Sequence, residues 1–154
     1  LLYISAYLEE HGKTNEVFDS TFSDFETLSK RILEFRPDVI GIYTNLMTKL
    51  NVLKIIRFIR EQHLEVKIIL GGPEVRNHKD NFLKHGADVI VFGEGEETML
   101  ELVNCIDDGG NFCSVRGIAF LNKEQQVVIN AERELKYDVD NLPLPNRKKI
   151  NLKK

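Results

Sequence analysis

The sequence predicts an α/β domain: a parallel β-sheet flanked by helices, extended by a β-hairpin near the carboxyl terminus. Three observations carry this. Short apolar runs alternate with amphipathic stretches through residue 110, the order produced by βαβ units with right-handed crossovers. Two glycine-bearing clusters, Leu70-Gly71-Gly72-Pro73-Glu74 and Gly93-Glu94-Gly95-Glu96, each follow an apolar run directly. Loops at the carboxyl ends of parallel strands read this way, and such loops form the ligand crevice of open α/β sheets. Beyond residue 110, two β-like runs flank a polar stretch.

Taken in order, residues 1–11 predict a helix, with Leu1, Ile4 and Leu8 at helical spacing and Gly12 as its C-cap. Residues 16–19 predict a short strand on Val17 and Phe18. Ser23 and Glu26 fit a capping box, and the helix behind them carries Phe25, Leu28, Ile32 and Leu33 on one side until Pro37 stops it. Residues 38–43 predict a strand buried on both faces, because Val39, Ile40 and Ile42 leave almost no polar alternation. Residues 44–48 are its exit loop. Leu50, Leu53, Ile56 and Ile59 form the core side of the next helix, with Lys54, Arg57, Arg60 and Glu61 toward water.

A strand at 66–70, a short helix at 79–85, a strand at 89–92 and a helix at 96–106 follow, the last stopped by Gly109-Gly110. Residues 117–121 and 127–131 predict the hairpin. Leu142-Pro143-Leu144-Pro145 is excluded from a helix interior, and the basic tail 147–154 reads as a linker. The organisation is therefore a core at 1–110, a hairpin extension at 111–137 and a linker at 138–154. Doubly wound domains normally open with a strand, whereas this sequence opens with the helix that should follow it. A domain without that strand would expose unpaired edges, from which homo-oligomerisation or poor solubility is expected. The first residue is Leu1 rather than Met, as in a piece of a longer protein.

Composition narrows the function. With 154 residues, 42% hydrophobic and 29% charged, the chain has material for one domain with its own core. A net charge of −3 without a basic block argues against nucleic-acid binding. No apolar run approaches the roughly 20 residues that span a bilayer, and no signal peptide is visible. Two cysteines, Cys105 and Cys113, make no disulfide framework, which suits a cytoplasmic setting.

Several segments resemble, in order, the cobalamin-binding domains that precede radical S-adenosylmethionine domains, including the anaerobic magnesium-protoporphyrin IX monomethyl ester cyclase group and many methylases. They are residues 2–12 (LYISAYLEEHG), 36–42 (RPDVIGI), 70–73 (LGGP), 93–98 (GEGEET), 115–120 (VRGIAF) and 140–147 (DNLPLPNR). The resemblance implies a flavodoxin-like, Rossmann-type fold with cobalamin as the cofactor. It also implies a radical domain of the same parent protein, which would hold the iron–sulfur cluster and S-adenosylmethionine. The Cys-x-x-x-Cys-x-x-Cys cluster of that domain does not occur here, since Cys105 and Cys113 stand eight apart. An oxidoreductase or methyltransferase activity would therefore not reside in this chain alone, and it carries no catalytic residue or protein metal ligand. The Asp-x-His-x-x-Gly loop of related cobalamin domains would precede Leu1.

The resemblance implies that the loops carrying Thr44, Asn45 and Thr48, then Gly71, Gly72, Pro73 and Glu74, then Gly93, Glu94, Gly95 and Glu96 hold the cofactor's nucleotide tail. Each has a plainer reading. Thr48 suits a helix cap. Gly71-Gly72-Pro73 suits a tight turn needing positive φ. Glu96 and Glu97 suit the positive end of a helix dipole. Of the histidines, His11, His63 and His85 fall near predicted helix ends, His78 falls near the crevice, and no pair has metal-ligand spacing. Cys105 reads as core. The competing functions are a fold-retaining interaction scaffold without cobalamin, which bulky side chains in the crevice would favour, and a flavin-binding electron carrier, for which Tyr43 is thin support.

Overall fold

The computed structural model describes residues 1–62, 64–134 and 142–150. Five strands form one sheet in the order β1-β2-β3-β4-β5: β1 (Val39–Tyr43), β2 (Lys67–Gly71), β3 (Val89–Val91), β4 (Ile118–Leu121) and β5 (Val127–Ile129). The first three are parallel, and β4 and β5 join antiparallel. This is the expected flavodoxin-like sheet. The hairpin is also a continuation of that sheet, because β4 pairs with β3 and is buried at Ile118, Ala119 and Phe120.

Helices α1 (Leu2–Glu10) and α5 (Glu96–Asp107) cover one face; α2 (Phe25–Phe35), α3 (Lys49–Glu61) and α4 (Val75–Lys84) cover the other. Side chains alternate along each strand, so neighbours enter different cores. Ile68, Leu70 and Ile90 pack with Ile56, Ile59 and Phe82, whereas Ile69, Val89 and Val91 pack with Met99, Leu102 and Ile118. Each core is built on buried aliphatic and aromatic side chains, and full burial of a Val, Leu, Ile, Phe or Met is worth about 1.5–3 kcal/mol.

Several expectations are corrected. Residues 16–19 form no strand, since two apolar side chains do not make a ladder without a neighbour to bond, and β1 pairs only with β2 among the described residues. As the edge strand, β1 is not buried on both faces, and Tyr43 is 50% exposed. The cap of α2 is Asp24, whose carboxylate accepts from Thr27 N at 2.8 Å, not Ser23. Leu50 is 78% exposed, because the buried stripe of α3 runs through Val52, Ile56 and Ile59.

The fourth helix begins at Val75, a turn earlier than expected. Val75 is its only apolar residue before Phe82, so periodicity is silent there; the helix is kinked at His78 (φ −123°). Arg60 does not simply face water. It donates to the Gly86 and Val66 carbonyls (2.7 and 2.9 Å) and pairs with Asp88, which accepts from Ile68 N, tying together the edge of the sheet where β2 and β3 begin. His63 and the segments 135–141 and 151–154 lie outside the described residues. None of the described helices is long and apolar enough to cross a membrane.

Candidate functional site

Because β1, β2 and β3 are parallel, the loops leaving their carboxyl ends share one edge of the sheet. These are the loops at 44–48, 71–74 and 93–96, so the residues singled out in the sequence do come to one rim. The first two are stitched together. Thr44 N donates to Gly71 O at 2.7 Å, and Glu74 N reaches Thr44 O at 3.5 Å. Gly72 has φ +110°, and a Cβ there would lie 2.4 Å from the Thr44 carbonyl oxygen. The turn reading of Gly72 is therefore correct, and its role is to let the two backbones touch.

Gly71 and Gly93 are different. A Cβ at either would meet nothing within 4 Å, so among the described residues the ledge next to these two glycines is open. Thr44 sits at the junction, 0% exposed, and its Oγ1 has no hydrogen-bond partner. An orphaned buried hydroxyl costs roughly 1–3 kcal/mol, so this one is poised for a partner that none of the described residues supplies. The open ledge and the unsatisfied hydroxyl together fit a ligand that lays polar groups along the rim.

The remaining rim residues are largely engaged. Asn45 and Thr48 close a reciprocal turn: Asn45 N donates to Thr48 Oγ1 and Thr48 N to Asn45 Oδ1, both at 3.0 Å. Thr48 occupies the N-cap position of α3, but its side chain makes no capping bond to the helix. The Glu74 carboxylate meets Lys49 (3.5 Å) and His78 Nε2 (2.9 Å) and so pins the start of α3 to α4. Pro73, Gly93 and Glu94 are exposed. Gly95 abuts α1, where an added Cβ would lie 2.8 Å from Ile4 Cδ1. Glu96 and Glu97 occupy the first turn of α5, at the positive end of its dipole.

Two residues outside the expected set reach this rim. Thr98, fully buried, donates from Oγ1 to Glu94 O at 3.4 Å and accepts from Arg133 Nε at 3.0 Å. No local pattern marks Arg133, which is 35 positions from its partner. Neither of two open surface grooves encloses the rim. One runs along α3 by Leu53, Arg57 and His85, and the other borders β1, lined by Leu1, Leu2, Val17, Phe18, Tyr43 and Ile150. No cluster of metal-ligating side chains occurs among the described residues. His11 and His85 bond the Tyr7 and Asn81 carbonyls at their helix ends. Cys105 is half-buried against the α5 core, and its thiol is pushed up chiefly by desolvation.

The B12 binding domain family matches residues 1–103. The chain belongs to that family. As a B12-binding domain it is similar to those of cobalamin-dependent radical S-adenosylmethionine enzymes. An uncharacterized methyltransferase of Pyrococcus horikoshii is 30% identical over 131 residues, covering 83% of this chain and 28% of the relative. The anaerobic magnesium-protoporphyrin IX monomethyl ester cyclase of Rubrivivax gelatinosus is 26% identical over 148 residues, covering 91% of this chain and 27% of the relative.

The fold matches that of OxsB, a cobalamin-dependent radical enzyme solved with aqua-cobalamin and S-adenosylmethionine, with a TM-score of 0.83 at 21% identity, over 95% of this chain and 21% of that one. It also matches TsrM of Kitasatospora setae, solved with cobalamin and a 4Fe–4S cluster, with a TM-score of 0.74 at 21% identity, over 94% of this chain and 28% of that one. The domain thus spans about a quarter of the length of these relatives.

Proposed function

We propose that this B12-binding domain holds cobalamin against the 44–48, 71–74 and 93–96 loops and presents it to a radical S-adenosylmethionine domain of the same parent protein. The observation that carries the assignment to these loops is the buried Thr44 hydroxyl without a partner, next to the open backbone at Gly71. Thr44 Oγ1 would bond a polar group of the nucleotide tail, while Gly71 and Gly93 let backbone approach it without a side chain in the way. The bound cofactor supplies a cobalt centre able to carry a methyl group or an electron; the chain's residues bind and orient it.

In this reading residues 1–110 are the ligand-binding core, 111–137 the hairpin extension and 138–154 the lead into the radical domain. The parent enzyme is a methyltransferase or a cyclase, as the names of the relatives suggest. The test is titration of the 154-residue protein with hydroxocobalamin. A shift of the visible spectrum and a saturable heat, both weakened by Thr44→Val, are expected. An unchanged spectrum without heat would instead favour a fold-retaining interaction scaffold.

A further inference from the structure

After β5 the chain reaches the first turns of α5, just beyond the 93–96 loop, through the side chain of Arg133. Arg133 follows the hairpin, and its side chain is only 18% exposed. Its guanidinium spans the first turns of α5, meeting Glu97 at 3.2 Å, Glu101 at 2.6 Å and Thr98 Oγ1 at 3.0 Å. The backbone beneath it is fixed independently. Gly117 N donates to Ala131 O, Phe92 N donates to Gly117 O, and a Cβ on Gly117 would stand 3.6 Å from Arg133 Cβ. A hydroxyl has one proton. With the Arg133 Nε–H directed onto Thr98 Oγ1, that proton is left for the Glu94 carbonyl, a long contact at 3.4 Å. The relay ends on a rim backbone group, not on a surface charge.

We propose that Arg133 is a positioning residue for the rim. Acting through Thr98 Oγ1, it holds the Glu94 carbonyl and so sets the 93–96 loop against which the ligand lies. The hairpin extension thereby contributes to the ligand site without touching it. The affinity arm of the test rests on the cobalamin reading above, and the exchange arm does not.

The 154-residue protein and its Arg133→Gln, Arg133→Lys, Thr98→Val and Thr98→Ser variants are compared by amide hydrogen exchange over residues 93–97 without ligand, and by hydroxocobalamin titration. Arg133→Gln and Thr98→Val are each expected to speed exchange there and to raise Kd, about tenfold, and the double variant no more than either alone. Thr98→Ser, which keeps the hydroxyl, behaves as the parent. Arg133→Lys keeps the charge facing Glu97 and Glu101 but lacks the Nε donor, and is expected to fail to rescue. Full rescue by lysine, additive effects in the double variant, or unchanged exchange at 93–97 in folded Arg133→Gln would each overturn the proposal. If Arg133→Gln does not fold, Arg133→Lys decides in its place: faster exchange at 93–97, no greater when combined with Thr98→Val, supports the proposal, and parental exchange overturns it. If the parent binds no hydroxocobalamin, the cobalamin reading falls, and the exchange data still decide the role of Arg133.

Discussion

A methyl group on Gly72 would sit 2.4 Å from the carbonyl oxygen of Thr44. The neighbour is backbone and cannot swing aside, and the φ of +110° is already unfavourable for any other residue. Gly72→Ala is therefore expected to destabilise the domain by about 3 kcal/mol. Gly71→Ala, one residue earlier, should change stability by less than about 0.5 kcal/mol and still weaken hydroxocobalamin binding, since its methyl projects onto the open ledge. Urea unfolding beside spectral titration separates the two; equal destabilisation by both would contradict the geometry.

Thr44→Val should move stability and binding in opposite directions. Replacing an unpartnered buried hydroxyl with a methyl of similar shape is expected to raise the stability of the free protein by about 1 kcal/mol. The same change removes the proposed ligand contact and should lower affinity about tenfold, or 1.4 kcal/mol. Thermal melts with and without hydroxocobalamin read both effects, and a variant that binds as the parent does would exclude Thr44 from the site.

Gly95→Ala is expected to cost about 1 kcal/mol, because the new methyl meets Ile4 Cδ1, the end of a side chain that can yield. Ile4→Val deletes that atom. The double variant should recover most of the loss, a coupling of about 1 kcal/mol. Additive losses in chemical denaturation would show that α1 does not rest on Gly95.

The Asp24 carboxylate is held below its ordinary value of 3.8, chiefly by the backbone hydrogen bond from Thr27 N. A lowered folded pKa gives stability that is present above the unfolded value and lost as pH falls through the folded one. Helix α2 should therefore loosen below pH 3.8. Asp24→Asn keeps a capping acceptor without a titrating group, so its helical signal should depend less on pH in this range. An acid titration by circular dichroism compares them, and identical profiles would rule out this cap as the titrating element.

Local punctuation made the rim legible. Gly71-Gly72-Pro73 and Gly93-Glu94-Gly95 interrupt apolar runs, and parallel topology does the rest, so three loops could be brought to one edge from sequence alone. What escaped was set by distance along the chain or by a missing neighbour. Val17 and Phe18 resemble a strand, but strand character is completed by a partner. Leu50 stands three residues before Leu53, but the buried stripe of α3 runs through Val52, Ile56 and Ile59, which leaves Leu50 on the other side of the helix. Arg60 reads as a solvated charge, and Arg133 carries no local mark at all, until residues 26–36 positions away supply most of their acceptors. Nothing in a sequence window encodes those partners, and the unsatisfied state of Thr44 becomes visible only once its surroundings are built.

The reversal of direction at β4 divides the molecule into two poles. β1, β2, β3 and β5 point toward the rim, β4 runs away from it, and the 122–126 turn that joins β4 to β5, with Gln125 at φ +60°, lies at the far end. That turn is a handle remote from the chemistry. A fluorophore or an affinity tag inserted there would report on or immobilise the domain while its working end stays free to meet ligand and neighbour.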